Sequence, residues 1–179
     1  TGVLCGYKDC DDTNISMTPP RDGLYIKDNH IFCNGTYHVD DVAEDGLIFI
    51  NASNINIICN NTIINGSGGV SDDCIMNDKG SDGFDNLVID GCTITNYGTT
   101  IYLETNSNDI NITNNQLHAT GSVSLQIKGH RNYIAHNNIT RNMQDFTGST
   151  GHKIINNTIL TTGAIIVRGN DYFITNNTV

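Results

Sequence analysis

The sequence predicts an all-β solenoid, a rod in which each repeat of the chain adds one coil of β-structure. A short phrase, which reads Ile-x-Asn-Asn-Thr-Ile in its clearest copies, returns along most of the chain. Its copies start at Phe32, Ile58, Ile89, Ile112, Ile134, Ile154 and Ile174, so the steps between them are 26, 31, 23, 22, 20 and 20 residues. A nearly constant period of about 20 to 25 residues is typical of a solenoid.

The strands of each coil are predicted from alternating apolar residues. Examples are Ile48-Phe-Ile50, Ile110-Asn-Ile112 and Val123-Ser-Leu125-Gln-Ile127. Such alternation, in residues that are mostly β-branched or aromatic, is typical of strands with one buried face. Neither the leucine-rich pattern nor the apolar spacing of helical repeats occurs in the sequence.

The bends between strands are predicted at the paired Asn and Gly residues inside the phrase. These residues enter the left-handed backbone region at low cost. Coils that stack about 4.8 Å apart place equivalent side chains above one another, so the repeated Asn side chains can form a hydrogen-bonded ladder. The predicted ladder comprises Asn61, Asn115, Asn137, Asn157 and Asn177. Seven coils predict a rod of roughly 30 to 35 Å.

Three early segments carry a resemblance to a known family: residues 34–39, 46–54 and 60–66. They resemble the entry coils of the right-handed parallel β-helix family, the secreted repeat proteins with carbohydrate-binding and sugar-hydrolase domains. The resemblance spans residues 22–179 and implies a right-handed parallel β-helix of about seven coils, preceded by an irregular Cys-containing N-terminal cap (residues 1–21). It implies no particular activity, because the family includes lyases, hydrolases, adhesins and surface-coat proteins.

Composition predicts one secreted domain at the cell surface or outside the cell. The chain has 179 residues, and its six Cys residues indicate an oxidising compartment. The net charge of −10 argues against nucleic acid and anionic membranes as partners. The sequence has no run of 18 apolar residues and no signal-peptide pattern, so no membrane span is predicted and the chain is expected to begin at a processed N-terminus.

Six Cys residues allow about 15 disulfide connectivities. They are Cys5, Cys10, Cys33, Cys59, Cys74 and Cys92. Because Cys33 and Cys59 follow the first residue of adjacent copies of the phrase, we predict that they stack and form a disulfide; two buried free thiols are the alternative. A bridge between Cys74 and Cys92 would attach the longest step of the repeat to the rod. Cys5 and Cys10, in the N-terminal cap, could close a small loop.

Nine Asn residues lie in Asn-x-Ser/Thr sequences, which are acceptors for N-glycosylation. The best candidates are Asn34, Asn51, Asn65 and Asn138, because loops or turn edges are expected to expose them. A ladder of Asn beside Thr also produces such sequences by coincidence, so they can equally be turn residues without a glycan.

The step of 31 residues contains an acidic insertion at residues 66–85, with Asp72, Asp73, Asp78, Asp82 and Asp85. Insertions in solenoids often form the binding face. Three interpretations remain open. Carboxylates among Asp72, Asp73 and Asp82 could act as acid and base in a polysaccharide lyase or glycoside hydrolase. The five Asp residues could instead bind Ca²⁺ through hard oxygen ligands, or they could form a solvated loop.

Two fragments of the insertion, Ser71-Asp-Asp-Cys74 and Ser81-Asp-Gly83, resemble motifs of polygalacturonases. Their order is reversed relative to that family, and the expected downstream His and basic elements have no match. The six His residues are scattered; His136 and His152 are interpreted as exposed positions of the solenoid. No metal or cofactor other than Ca²⁺ is indicated.

The function predicted from these features is a secreted structural or adhesive surface protein. The sequence still reads as solenoid at Val179, and an open end would favour self-association into a filament or coat through end contacts. The alternatives are the carbohydrate-active enzyme described above and a non-catalytic carbohydrate-binding module. The sequence contains no Trp, the residue that most often stacks on sugars, and this argues against both sugar-directed alternatives.

Overall fold

The computed structural model describes residues 17–42, 46–77, 83–103, 107–146, 148–160 and 163–179. In these ranges the ordered elements are all strands. In chain order they are β1 (Met17–Thr18), β2 (Leu24–Ile26), β3 (His30–Phe32), β4 (Gly35–His38), β5 (Ile48–Ile50), β6 (Asn56–Cys59), β7 (Thr62–Asn65), β8 (Asp73–Asn77), β9 (Val88–Asp90), β10 (Thr93–Tyr97), β11 (Thr99–Leu103), β12 (Asn111–Thr113), β13 (Gln116–Ala119), β14 (Val123–Ile127), β15 (Tyr133–Ala135), β16 (Asn138–Ile139), β17 (Asn142–Asp145), β18 (Lys153–Ile155), β19 (Thr158–Ile159), β20 (Ile165–Ile166) and β21 (Phe173–Thr175).

The strands form three parallel sheets that run the length of a β-solenoid. Sheet 1 has eight strands in the order β1-β3-β6-β9-β12-β15-β18-β21. Sheet 2 has six, from β4 to β19, and sheet 3 has seven, from β2 to β20. From β3 onward the chain visits sheets 1, 2 and 3 in turn. The result is a solenoid of about six turns rather than seven, because the last copy of the phrase contributes only β21 to the strands.

The core is a column of stacked aliphatic side chains. In sheet 1, Ile89, Ile112, Ile134 and Ile154 are in register and almost completely buried. Sheet 2 repeats this arrangement with Ile64, Ile94, Leu117, Ile139 and Ile159. Alternate residues of a strand point to opposite faces, so the alternation in the sequence becomes one buried face and one outward face in every coil.

Left-handed turns flank the short strands of sheet 1. From β9 onward the two flanking residues have positive φ and are five positions apart: Asn86 and Gly91, Asp109 and Asn114, Arg131 and His136, Gly151 and Asn156, Asp171 and Asn176. Asn, Asp and Gly tolerate this conformation best. Arg131 and His136, at φ 56° and 58°, therefore occupy a conformation that is unfavourable for their residue types.

The second coil has a different register from the one predicted. The phrase aligns Ile58 with Ile89, whereas the structure pairs Ile57 with Ile89 and Ile64 with Ile94. Ile57 and Ile64 are fully buried, while Ile63 is 37 % exposed. A slip of one residue exchanges the buried and outward faces of a strand, and packing of the column selects the observed register.

The predicted insertion, residues 66–85, is not one continuous loop. It contains β8, which pairs in register with β5 and β11 as a regular strand of sheet 3. Residues 66–72 form the corner between sheets 2 and 3. Within the predicted N-terminal head, β1 already belongs to sheet 1, where it pairs with β3; residues 1–16, including Cys5 and Cys10, lie outside the described residues.

At the corner between sheets 3 and 1, successive coils approach closely. Ser107, Gly129, Ser149 and Gly169 alternate along this corner, and a Cβ atom at either glycine would collide with the carbonyl group of the preceding serine. Gly129 also has φ +131°, a conformation that L side chains rarely adopt. In the part of the chain that the structure describes, no helix is long and apolar enough to cross a membrane.

Candidate functional site

Four of the five predicted ladder residues form one internal hydrogen-bonded column. Asn115 donates from its backbone N–H and its Nδ2 to Oδ1 of Asn137, both at 3.0 Å. Asn137 donates in the same way to Asn157, and Asn157 to Asn177. The second Nδ2–H of each Asn bonds back to the preceding coil, as from Asn137 to the Ile112 carbonyl at 2.9 Å. Each carboxamide therefore links neighbouring coils.

Asn61 does not belong to this column, contrary to the prediction. It is an exposed turn residue with φ 52°, equivalent to Gly91 in the next coil. The shifted register gives the ladder position to Thr62, whose Oγ1 donates to the Cys33 carbonyl at 2.9 Å. The next position is Cys92, whose backbone N–H donates to Asn115 Oδ1 at 2.9 Å.

The same register change alters the disulfide. Cys59 is bonded to Cys92 in the following coil, with a Cα–Cα distance of 4.7 Å, so the predicted Cys33–Cys59 and Cys74–Cys92 bridges are wrong. The Cα partner of Cys59 in the preceding coil is Phe32, not Cys33. Cys33 is in a second disulfide, whose partner lies outside the described residues. Cys74 is a free, fully buried thiol; burial, with smaller effects of Asp73 and Asp41, raises its pKa and makes it unreactive.

The acidic residues of the described part of segment 66–85 serve mainly as hydrogen-bond acceptors. Asp85 Oδ1 accepts bonds from the backbone N–H and Nδ2 of Asn108 in the next coil, both at 2.9 Å. Its own N–H donates to Ser53 Oγ in the preceding coil at 3.0 Å. Asp72 is buried in a different corner, where its carboxylate packs over Gly69 and accepts a bond from Ser67 at 3.3 Å.

The remaining candidates in this segment are only partly described. Asp73 is half-buried at the start of β8, and Asp78 and Asp82 lie outside the described residues. Within the described ranges, no group of three or more His, Cys, Asp or Glu side chains is placed to hold a metal ion.

The four glycosylation candidates differ in accessibility. Asn34 is exposed, whereas Asn51 and Asn138 are half-buried. The Asn65 side chain is engaged on both sides: Oδ1 accepts bonds from Thr95 and Asn96, and Nδ2 contacts His38 Nδ1 at 2.7 Å. Asn34 is therefore the candidate whose amide is most open to modification.

A second internal polar column was missed by the sequence analysis. It follows the left-handed residues at the corner before sheet 1 and consists of Ile110, Asn132, His152 and Tyr172. Asn132 Oδ1 accepts the Ile110 N–H at 2.8 Å, and His152 Nδ1 accepts the Asn132 N–H at 3.1 Å. His152, predicted to be exposed, is only 1 % exposed. The members of this column can be recognised in the sequence by their position, because each directly follows one of the left-handed residues Asp109, Arg131, Gly151 and Asp171.

His152 lies in an environment that disfavours its charged form. Burial lowers the pKa of His152 to about 4, and the nearby His130 adds to this effect. Because Nδ1 accepts a backbone N–H, the neutral ring carries its proton on Nε2, and this buried N–H has no acceptor among the described residues. The ring lies edge-on to Tyr172, with centroids 5.2 Å apart, and the Tyr172 hydroxyl donates to Asp145 Oδ2.

These features define the chain as a parallel β-solenoid protein with polar ladders inside its coils. No family model, no curated protein and no solved structure matches it.

Proposed function

We propose that the protein is an extracellular structural or adhesive surface protein, a rod that forms part of a filament or coat. The resemblance of residues 22–179 to secreted β-helix proteins supports this proposal. A disulfide buried between coils fits an oxidising compartment, and a net charge of −10 fits a soluble surface exposed to solvent.

The observation that carries the proposal is the use of polar side chains to join coils. In the ladder from Asn115 to Asn177, the first three carboxamides bind to the coils before and after them, and that of Asn177 binds to the coil before it. Asp85, a candidate ligand or catalytic group by sequence, makes the same kind of contact. Fully satisfied polar networks inside a core favour one rigid arrangement, a property that suits a structural rod.

The contact that would build an assembly is the outer edge of β20 and β21. Among the described residues these are the last strands of sheets 3 and 1, whereas β19 of sheet 2 is already paired through Thr158 with Thr178. Ile174 on this edge is 44 % exposed although it continues the inner column of Ile134 and Ile154, whereas Phe173 is on the outward face in register with Lys153. A second copy that stacked a coil on this edge would pair the backbone groups and bury Ile174. Such a contact joins different surfaces of two copies, so it propagates as a filament unless it closes into a ring.

The test is the size of the purified, oxidised protein as a function of concentration, measured by light scattering after gel filtration and by negative-stain electron microscopy. We expect species larger than a monomer and rod-shaped particles. Ile174→Asp should suppress them because it places a charge in the contact. Val70→Asp is the matched control, since Val70 is 74 % exposed at the corner between sheets 2 and 3.

A protein that remains monomeric at every concentration would contradict assembly through this edge. An enzymatic role would replace the structural one if the protein cleaved polygalacturonate or a similar acidic polysaccharide and lost this activity in Asp72→Ala or Asp73→Ala.

A further inference from the structure

We propose that His152, Tyr172 and Asp145 form an acid-sensitive lock between the last coils of the solenoid. The lock holds when His152 is neutral and loosens when it takes up a proton. This inference concerns the conformational stability of the chain and does not depend on the proposed function.

The geometry of the lock links three successive coils. His152, just before β18, accepts the N–H of Asn132 from the coil before it. Its ring contacts Tyr172 of the coil after it, and the Tyr172 hydroxyl reaches back to Asp145 at the end of β17. Asp145 also accepts the backbone N–H of Arg168 at 2.6 Å, beyond β20. The last coil is therefore attached to the rod through Tyr172 and Asp145.

A small, partly open cavity of about 10 Å³ lies at the same place. His152 and Asp145 line it together with aliphatic side chains that include Ile127, Ile134 and Ile154. The cavity presents apolar surface, and the Nε2–H of His152 is buried without an acceptor among the described residues. A proton added to Nδ1 would break its bond with Asn132 and place a full positive charge beside these aliphatic groups, which is costly without a partner.

The charges around His152 determine whether protonation is tolerated. His130, one coil earlier, opposes a second positive charge nearby. Among the described residues, Asp145 is the only carboxylate in the cavity wall, and the Tyr172 hydroxyl and the Arg168 N–H already occupy its oxygens. Arg168 itself adds positive charge on the side of Asp145. The balance keeps His152 neutral, in agreement with its pKa of about 4.

The direction of the pH effect follows from the lowered pKa of His152. The unfolded or opened chain takes up the proton near pH 6.5, and the closed coil near pH 4. Acid therefore favours opening as the pH falls from 6.5 towards 4. Asp145 acts in the opposite direction, because burial raises its pKa and its protonation favours the closed coil in acid. The contribution of His152 must therefore be measured as a difference between variants.

The experiment is hydrogen–deuterium exchange of the full chain at about pH 7 and about pH 4.5, with rates corrected for the intrinsic pH dependence of exchange. Between these two pH values, the protection of β18, β20 and β21 should fall at least about tenfold more in the native protein than in H152N. The largest difference that the titration of one group allows over about two pH units is about 100-fold. The carboxamide in H152N does not titrate, and its oxygen can accept the Asn132 N–H just as Asn132 accepts that of Ile110. H136N is the matched control, since His136 lies in an exposed turn, and its pH response should equal that of the native protein.

Equal loss of protection in the native protein and in H152N would overturn the proposal. A direct NMR titration of the His152 ring in the native chain provides an independent measurement that needs no variant. An apparent pKa below about 5 supports the lock, and an apparent pKa near the ordinary histidine value of about 6.5 refutes it.

Discussion

Replacement of Asn137 by Ala should be among the most destabilising substitutions that the inner column allows. Asn137 is 2 % exposed and lies in the middle of the ladder. Its Oδ1 accepts two bonds from Asn115, and its Nδ2 donates to the Ile112 carbonyl and to Asn157 Oδ1. Alanine would remove all four bonds, and little water can reach the groups that remain.

The expected loss of stability follows from the four hydrogen bonds that the substitution removes. A buried hydrogen bond contributes about 1 kcal/mol net, and a buried group that loses its partner costs about 1 to 3 kcal/mol. We therefore expect the free energy of unfolding to fall by about 3 to 5 kcal/mol, against a total of about 5 to 15 kcal/mol for a typical domain. Asn177→Ala removes an equivalent side chain that is only half-buried, so solvent can replace its partners and the loss should be about 1 kcal/mol.

The assay is urea denaturation followed by far-UV circular dichroism on the native protein and three Asn→Ala variants. Asn138→Ala is the neighbouring control, because Asn138 Oδ1 has no hydrogen-bond partner among the described residues, and its change should stay within about 0.5 kcal/mol. Equal losses for Asn137→Ala and Asn177→Ala would refute the argument, since the ladder would then contribute nothing that depends on burial.

Three further experiments test other parts of the fold. The double change Cys59→Ser and Cys92→Ser opens a loop of 33 residues and should lower the free energy of unfolding by about 3 to 4 kcal/mol; an unchanged urea midpoint would contradict a structural role. Gly129→Ala should cost about 3 kcal/mol in the same assay, from collision with Ser107 and a φ of +131°. Gly148→Ala, whose φ is +93° but whose surroundings are open, should cost only about 1 kcal/mol, and equal losses would exclude the collision as the cause. His136→Asn should raise the melting temperature, with a gain of up to about 1 kcal/mol, because Asn tolerates φ 58° better than His; a lower melting temperature would count against the turn argument.

The amino-acid sequence by itself determined the solenoid, its strands and most of its ladder. In a solenoid, equivalent residues of successive coils contact one another, so a local pattern that repeats at a constant period also specifies the tertiary contact. The coils from Ile112 onward repeat every 20 or 22 residues, and there Asn115, Asn137, Asn157 and Asn177 lie in one column, as their spacing predicts.

Only the tertiary structure decided the details where the period changes. A step of 31 residues permits more than one alignment of the second coil, and a shift of one residue reverses which side chains are buried. In the observed register Ile57 and Ile64 are buried. As a result Asn61 lies in a turn, Thr62 takes the ladder position predicted for Asn61, and Cys59 is bonded to Cys92. His152 is a second case, because its neighbours in the sequence suggest exposure. Contacts with Asn132 and Tyr172, 20 residues away on either side, place it in the interior, and burial then determines its charge.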